Sequence, residues 1–223
     1  MDGDRATPTK NGGFAMNVAA MLPLAVVMIA GPQIISAIFF ATSEKWKGDS
    51  ANYVAGAAIS ITVIYTAAYF IFRGAKQSGG SHSGSTAHVI DIVILALLLF
   101  AMFYTFRRRK TSEPPKWMSK LQTASLRLSF NLGLLLLGVF PTDIATSVSV
   151  GARLANQHEP WAAGLPFVLL VLLLLALPAL LVLLLGKKAQ AFLPKVRDWM
   201  NDNSWIVSEI VLVFIIVIIS KSL

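Results

Sequence analysis

The chain has 223 residues, of which 56% are hydrophobic and only 13% charged, with a mean hydropathy of +0.68. Soluble domains sit nearer half apolar and a quarter charged, so the composition points to a polytopic membrane protein built as one helical domain. The absence of cysteine excludes disulfides, haem attachment and thiol redox chemistry, and the +8 net charge flanks apolar runs, which reads as membrane orientation rather than nucleic-acid binding.

Residues 1–16 are polar and are read as an extracytoplasmic tail. The first apolar run is too long for a signal peptide and lacks a convincing cleavage site. The apolar runs match the ~17–25 residues that cross a bilayer as helices. They are twice the length of barrel strands and do not alternate. The predicted fold is therefore all-α, with six transmembrane helices at about 17–41, 51–72, 88–106, 125–150, 162–185 and 204–221.

The chain divides into a three-helix half, 17–106, a basic linker, 107–124, and a second three-helix half, 125–223. Between helices 2 and 3, Gln77–His88 reads as a Gly/Ser-rich external loop. The linker opens on Arg107-Arg108-Arg109-Lys110 and reads as a topology signal followed by a proline stop. Segment 187–203 mixes bases with Phe192, Trp199 and Met200, as an amphipathic stretch on the inner interface does. Twelve basic residues fall in the odd-numbered loops against six on the opposite face. The positive-inside rule then places both termini outside the cell membrane.

The halves look like copies. Pro32, in "MIAGPQIISA", aligns with Pro141, in "GVFPTDIATS". "HVIDIVIL" resembles "IVSEIVLV", so Asp91 and Glu209 take matching places as candidate gate or proton-path acids; the plainer reading of each is an interfacial acid reaching water. Three helices per half is odd, so the second copy is expected to be inverted, as in transporters with a site between their halves. Proline removes a backbone donor and breaks helices 1 and 4. Freed groups at such breaks bind substrates or ions in discontinuous helices, which makes Gly31, Pro32, Gln33 and Ser36 candidates on helix 1. On helix 4 the spacing of Arg127, Asn131, Gly138, Thr142, Thr146 and Ser149 predicts one polar side facing protein or a water-filled path. Helix 2 adds Thr62, Thr66 and Tyr69; ordinary interhelical hydrogen bonding is the plainer reading of each hydroxyl. Asp143 stands apart. A carboxylate near the bilayer centre costs several kcal/mol unless paired, hydrated or protonated. It is the leading candidate for a protonation or substrate-binding site. Pro23, Pro166 and Pro178 read as plain kinks.

His82, His88 and His158 fall in loops and match no metal spacing. No Walker loop, nucleotide fingerprint or nucleophile elbow is present, so no cofactor is expected and transport would be gradient-driven.

The stretches "LPLAVVMIAGPQIISAIFFATS", "EPPKWMSKLQ", "FPTDIATSVSVGARLA" and "ALLVLLLGKKAQAFLPKVRDWMNDNSWIVSEIVLVF" resemble the GAP branch of the LysE exporter superfamily, over roughly residues 18–223. That branch comprises lipid-addressing proteins linked to export of glycopeptidolipids and sulfolipids. The resemblance implies a carrier, not an enzyme, that moves a lipid or amphipathic small molecule outward, with Pro141, Thr142 and Asp143 at the core of its motif. Membrane lipids are the expected partners, nucleic acid is not, and a homo-oligomer is compatible with the reading. Two alternatives stay open: a proton-coupled exporter of a small polar solute, and a non-transporting accessory of a lipid export machine. An integral-membrane enzyme would need a converging acid/base or metal set, which these dispersed residues do not form.

Overall fold

A computed structural model describes residues 18–78 and 125–203. Helices 3 and 6, the basic linker and the N-terminal tail lie outside the described residues, as do Asp91 and Glu209. The described part is all-helical, with no strand among its residues. It consists of α1 (Val18–Ile29), α2 (Pro32–Ala41), α3 (Trp46–Ser78), α4 (Leu126–Val139), α5 (Pro141–Asn156), a 3₁₀ turn (Trp161–Gly164), α6 (Leu165–Leu185) and α7 (Lys187–Asp202). Two continuous stretches, Trp46–Gly74 and Trp161–Leu185, are long and apolar enough to cross a membrane; the α1–α2 and α4–α5 pairs meet the same test as bent pairs, giving two to four candidate spans.

The two expected breaks are real and sharp. α1 and α2 meet at 72°, α4 and α5 at 68°. In each case the proline opens the second helix, where its missing N–H costs nothing and its fixed φ suits the first turn. The residue before each proline differs. Gly31 adopts φ 126°, ψ −142°, a conformation open essentially to glycine alone. Phe140 instead takes the extended φ −67°, ψ 125° that a following proline favours in any residue. Pro23 and Pro178 lie inside continuous helices, and Pro166 sits in the first turn of α6.

α3 runs beyond its predicted 51–72 at both ends, and so takes in Gln77 and Ser78, which the sequence assigns to a loop. Its 33 residues make a rod of about 50 Å. Hydropathy marks only the stretch able to sit in lipid, and this helix continues past it through Asp49 at one end and Arg73 at the other.

The packing is reciprocal. α4 and α5 of the second half lie along α3 of the first, while α1 and α2 lie chiefly against α6. Glycines set the approach of α3 to α4 and α5. A Cβ on Gly133 would stand 2.0 Å from the Tyr53 carbonyl, one on Gly56 2.1 Å from that of Phe130, and one on Gly151 2.7 Å from that of Tyr65. Backbones this close leave no room for a methyl, the arrangement small residues permit between membrane helices. The core between them holds Tyr53, Ile61, Tyr65, Tyr69, Leu137, Leu154, Phe167 and Leu175.

The faces of α6 illustrate how burial divides an all-apolar helix. Phe167, Val171, Leu175, Pro178 and Val182 point inward. Leu169, Leu173 and Leu177 form an exposed stripe at four-residue spacing, as a lipid-facing surface does. α7 folds back at Gly186 and seats Ala189 and Leu193 against Ile38, Ala41 and Val182. The Arg197 guanidinium lies 4.3 Å from the centre of the Phe39 ring, joining α7 to α2.

Gly133→Val should be among the most disruptive single changes, because backbone rather than a movable side chain occupies the space. We expect loss of folded, monodisperse protein in detergent, or a fall in unfolding free energy of at least ~3 kcal/mol. Leu173→Val, on the exposed stripe, should leave the unfolding midpoint within a degree or two of wild type, on the order of a neutral surface change.

Candidate functional site

The two breaks meet. Gln33, the second residue of α2, donates its Nε2 to Asp143 Oδ2 at 2.7 Å. Asp143 is the third residue of α5, so this single bond joins the two proline elements across 110 positions of sequence. Both side chains are sealed from solvent, Gln33 at 2% and Asp143 at 0% exposure. The local causes lie in the sequence. Pro32 and Pro141 fix where each second helix starts, and so the direction of the residues one and two positions later. The first turn of α5 is also electrostatically favourable for a carboxylate, since unpaired N–H groups concentrate positive potential there.

A second tier holds the pair in place. Tyr53, fully buried on α3, donates its hydroxyl to the Gln33 carbonyl at 2.9 Å. Its ring packs 5.1 Å from that of Phe40, centre to centre. Thr142 reaches Asp143 Oδ1 only at 3.4 Å. Gln33 Oε1, Ser36 Oγ and Ser147 Oγ are buried and take no hydrogen-bond partner. Buried polar atoms are nearly always satisfied in folded proteins; the remaining unpartnered one among the described residues, Ser50 Oγ, lies beside Asp49 at the other end of α2.

The remaining candidates divide. Thr146 is buried and donates its hydroxyl to the Thr142 carbonyl at 2.8 Å, and Ser149 likewise to Ala145 at 2.7 Å. Pro141 and Thr142 are exposed at the break. Of the polar side expected along 127–149, Arg127, Asn131 and Thr142 are exposed, Gly138 and Ser149 half-buried and Thr146 buried, on two segments bent 68° apart. The inward polar residue of α4 is Ser129, not Asn131.

Ser129 belongs to a cluster that the sequence reading missed. Asp49, at 2% exposure, accepts hydrogen bonds from Ser43 Oγ at 2.6 Å and Ser129 Oγ at 3.2 Å. The cluster ties the α2–α3 connection to α4. Asp49 stands in the first turn of α3, one turn before Tyr53, and an acid ahead of an apolar run is a readable helix-start signal. The other end of α3 is tied just as firmly. Tyr65 donates to the Trp161 carbonyl, Tyr69 to that of Glu159 at 2.9 Å, and Trp161 Nε1 to Thr66 Oγ1 at 3.0 Å. Thr66 and Tyr69 therefore brace the 157–161 connection, the helix-to-helix role that was the plainer reading for them.

Two sharply broken helices joined through a buried acid, in an all-helical frame with two to four candidate spans, define a membrane protein of the discontinuous-helix class. Within that class the chain belongs to the family of Sap, the sulfolipid-1-addressing protein, whose sequence signature matches residues 21–222. No curated protein and no solved structure matches the chain.

Tyr53→Phe removes one buried hydrogen bond and keeps the ring. It leaves the Gln33 carbonyl short of a donor, so unfolding should become easier by about 1–2 kcal/mol. Thermal denaturation of the detergent-solubilised protein measures this; an unchanged midpoint would mean that the hydroxyl does not hold the break.

Proposed function

We propose that this protein exports a lipid, glycolipid or similar amphipathic molecule across the cell membrane. In this reading the meeting of the two breaks is the working centre and Asp143 is the acid that takes up a proton, a cation or a substrate head group during the cycle. The observation that carries it is the Gln33–Asp143 bond: each partner belongs to a broken helix, and each is fully enclosed. Discontinuous helices place their binding groups at such junctions. Membership of the sulfolipid-1-addressing family supplies the substrate class. The leucine- and valine-rich α6, against which α1 and α2 pack, suits acyl chains, and the polar junction suits a head group.

The full architecture belongs to the same proposal. Six spans form two inverted three-helix repeats, with Asp91 and Glu209 as matching gate or proton-path acids. The reciprocal packing favours it, because α1–α2 and α4–α5 each rest on the continuous helix of the other half. The Ser43–Asp49 end then faces the cytoplasm and the Trp161 end faces outward. The cysteine-free chain makes this directly measurable. A single cysteine at Gln157 should react with a membrane-impermeant maleimide added to intact cells, and one at Lys47 only after lysis; the opposite pattern would invert the topology.

A small polar solute as the exported molecule is favoured by one observation, the closed and wholly polar contact between Gln33 and Asp143. The two readings separate in liposomes. We expect purified protein to move a fluorescent amphipathic lipid between leaflets, and Asp143→Asn to slow this at least tenfold while preserving fold and insertion. Wild-type movement of a polar solute but not of lipid would select the alternative. Wild-type rates in Asp143→Asn would remove the acid from the mechanism.

A further inference from the structure

The junction of the two breaks holds more oxygen than the protein itself satisfies. In a helix every carbonyl points toward the C-terminus and accepts from the amide four residues on. The carbonyls of a helix's last turn find no such amide, and Met28 and Leu137 stand in the last turns of α1 and α4, each of which ends at its break. Met28 and Leu137 are each at 0% exposure, so solvent cannot stand in. The two carbonyls aim along their helices at the two breaks, and the Gln33–Asp143 bond brings those breaks together.

Gln33 Oε1 adds a third unsatisfied oxygen. It is buried and unpartnered, and it sits 3.2 Å from the place a Cβ on Gly31 would occupy, at the break itself. It shares an amide with the nitrogen that touches Asp143, so it lies beside the carboxylate. Asp143 Oδ1 adds a fourth, holding only the 3.4 Å contact with Thr142. No cationic side chain pairs with Asp143 among the described residues; the one ion pair there is Arg197–Asp198, on α7.

We propose that this junction binds a monovalent cation of sodium's size, held by the Asp143 carboxylate, Gln33 Oε1 and the carbonyls of Met28 and Leu137. The donor set is all oxygen, which suits a hard cation. With Asp143 ionised it carries one negative charge, which a monovalent ion cancels and a divalent ion would overshoot. No cluster of three ionisable metal ligands exists among the described residues to hold a divalent ion. A water would leave an ionised carboxylate uncompensated in a low-dielectric site, and a proton would cancel the charge without engaging the other three oxygens. Ser36 and Ser147, buried, unpartnered and one turn beyond the contact on α2 and α5, mark how the ion would approach and leave. As the coupling ion this cation rests on the exporter reading; as a bound ligand it is measurable without it.

The test uses the full chain in nanodiscs of neutral lipid. The thermal unfolding midpoint is followed against sodium chloride, with choline chloride holding ionic strength constant and potassium chloride in parallel. A ligand bound only by the folded state raises the midpoint in a saturable way. We expect sodium to do so and choline not to, with potassium weaker. Asp143→Asn should abolish the rise. Gln33→Met removes Oε1 and should weaken apparent sodium affinity about tenfold, the effect of losing one good ligand interaction. Ser50→Ala, at the far end beside Asp49, should leave it unchanged. Equal midpoints in sodium and choline, or equal effects of potassium and sodium, would overturn the site. If Asp143→Asn does not fold, wild-type affinity in Gln33→Met would overturn it equally. Lipid movement in liposomes separates the two proposals: unchanged movement in choline removes the coupling and keeps the exporter. Sodium binding without any lipid movement keeps the site and removes the exporter.

Discussion

The structure turns on one buried contact, the hydrogen bond between the Gln33 amide and the Asp143 carboxylate. A carboxylate enclosed by apolar helices is costly wherever it is not solvated by protein. Everything near it serves that need. Pro141 starts α5 so that Asp143 falls in its first turn, where the helix end favours negative charge. Pro32 starts α2 so that Gln33 faces it. Gly31 supplies a backbone angle that a residue with a Cβ would resist. Tyr53 then fixes the Gln33 main chain from a third helix. The contact closes one half of the chain onto the other, and separating the halves would expose an unpartnered buried acid.

Helices that meet at such a point must also lie close enough along their length. The glycine contacts provide this, bringing α3 to within backbone distance of α4 and α5. The ends of α3 are fastened by polar groups rather than by apolar area. Asp49 with Ser43 and Ser129 holds one end, and Tyr65, Thr66 and Tyr69 hold the other. The middle of the bundle is left as the place where broken helices, orphaned oxygens and the acid coincide.

α7 has a different logic. One face docks on α2 and α6 through Ala189 and Leu193, while Phe192 and Trp199 remain exposed among lysines. The segment is an amphipathic helix whose apolar face is packed into the fold.

By itself the sequence determined the apolar character of the chain, the approximate place of its described apolar helices, the two breaks and the acid beside one of them. Those features are local: a proline removes its own amide, and a run of leucine is apolar whatever surrounds it. It did not determine which face of each helix is inside. α6 is leucine and valine all round, so no periodicity separates the Val171 side from the Leu173 side, and packing alone selects. Along 127–149 the same limit applies, because counting by helical spacing assumes one axis and the bend at Phe140 gives two. The partner of Asp143 lies 110 residues away, and the roles of Asp49, Ser129 and Tyr53 depend on helices crossing at a distance no spacing encodes. The tertiary structure decided these, because a hydrogen bond between distant segments forms only once the close approach of their backbones has set the geometry.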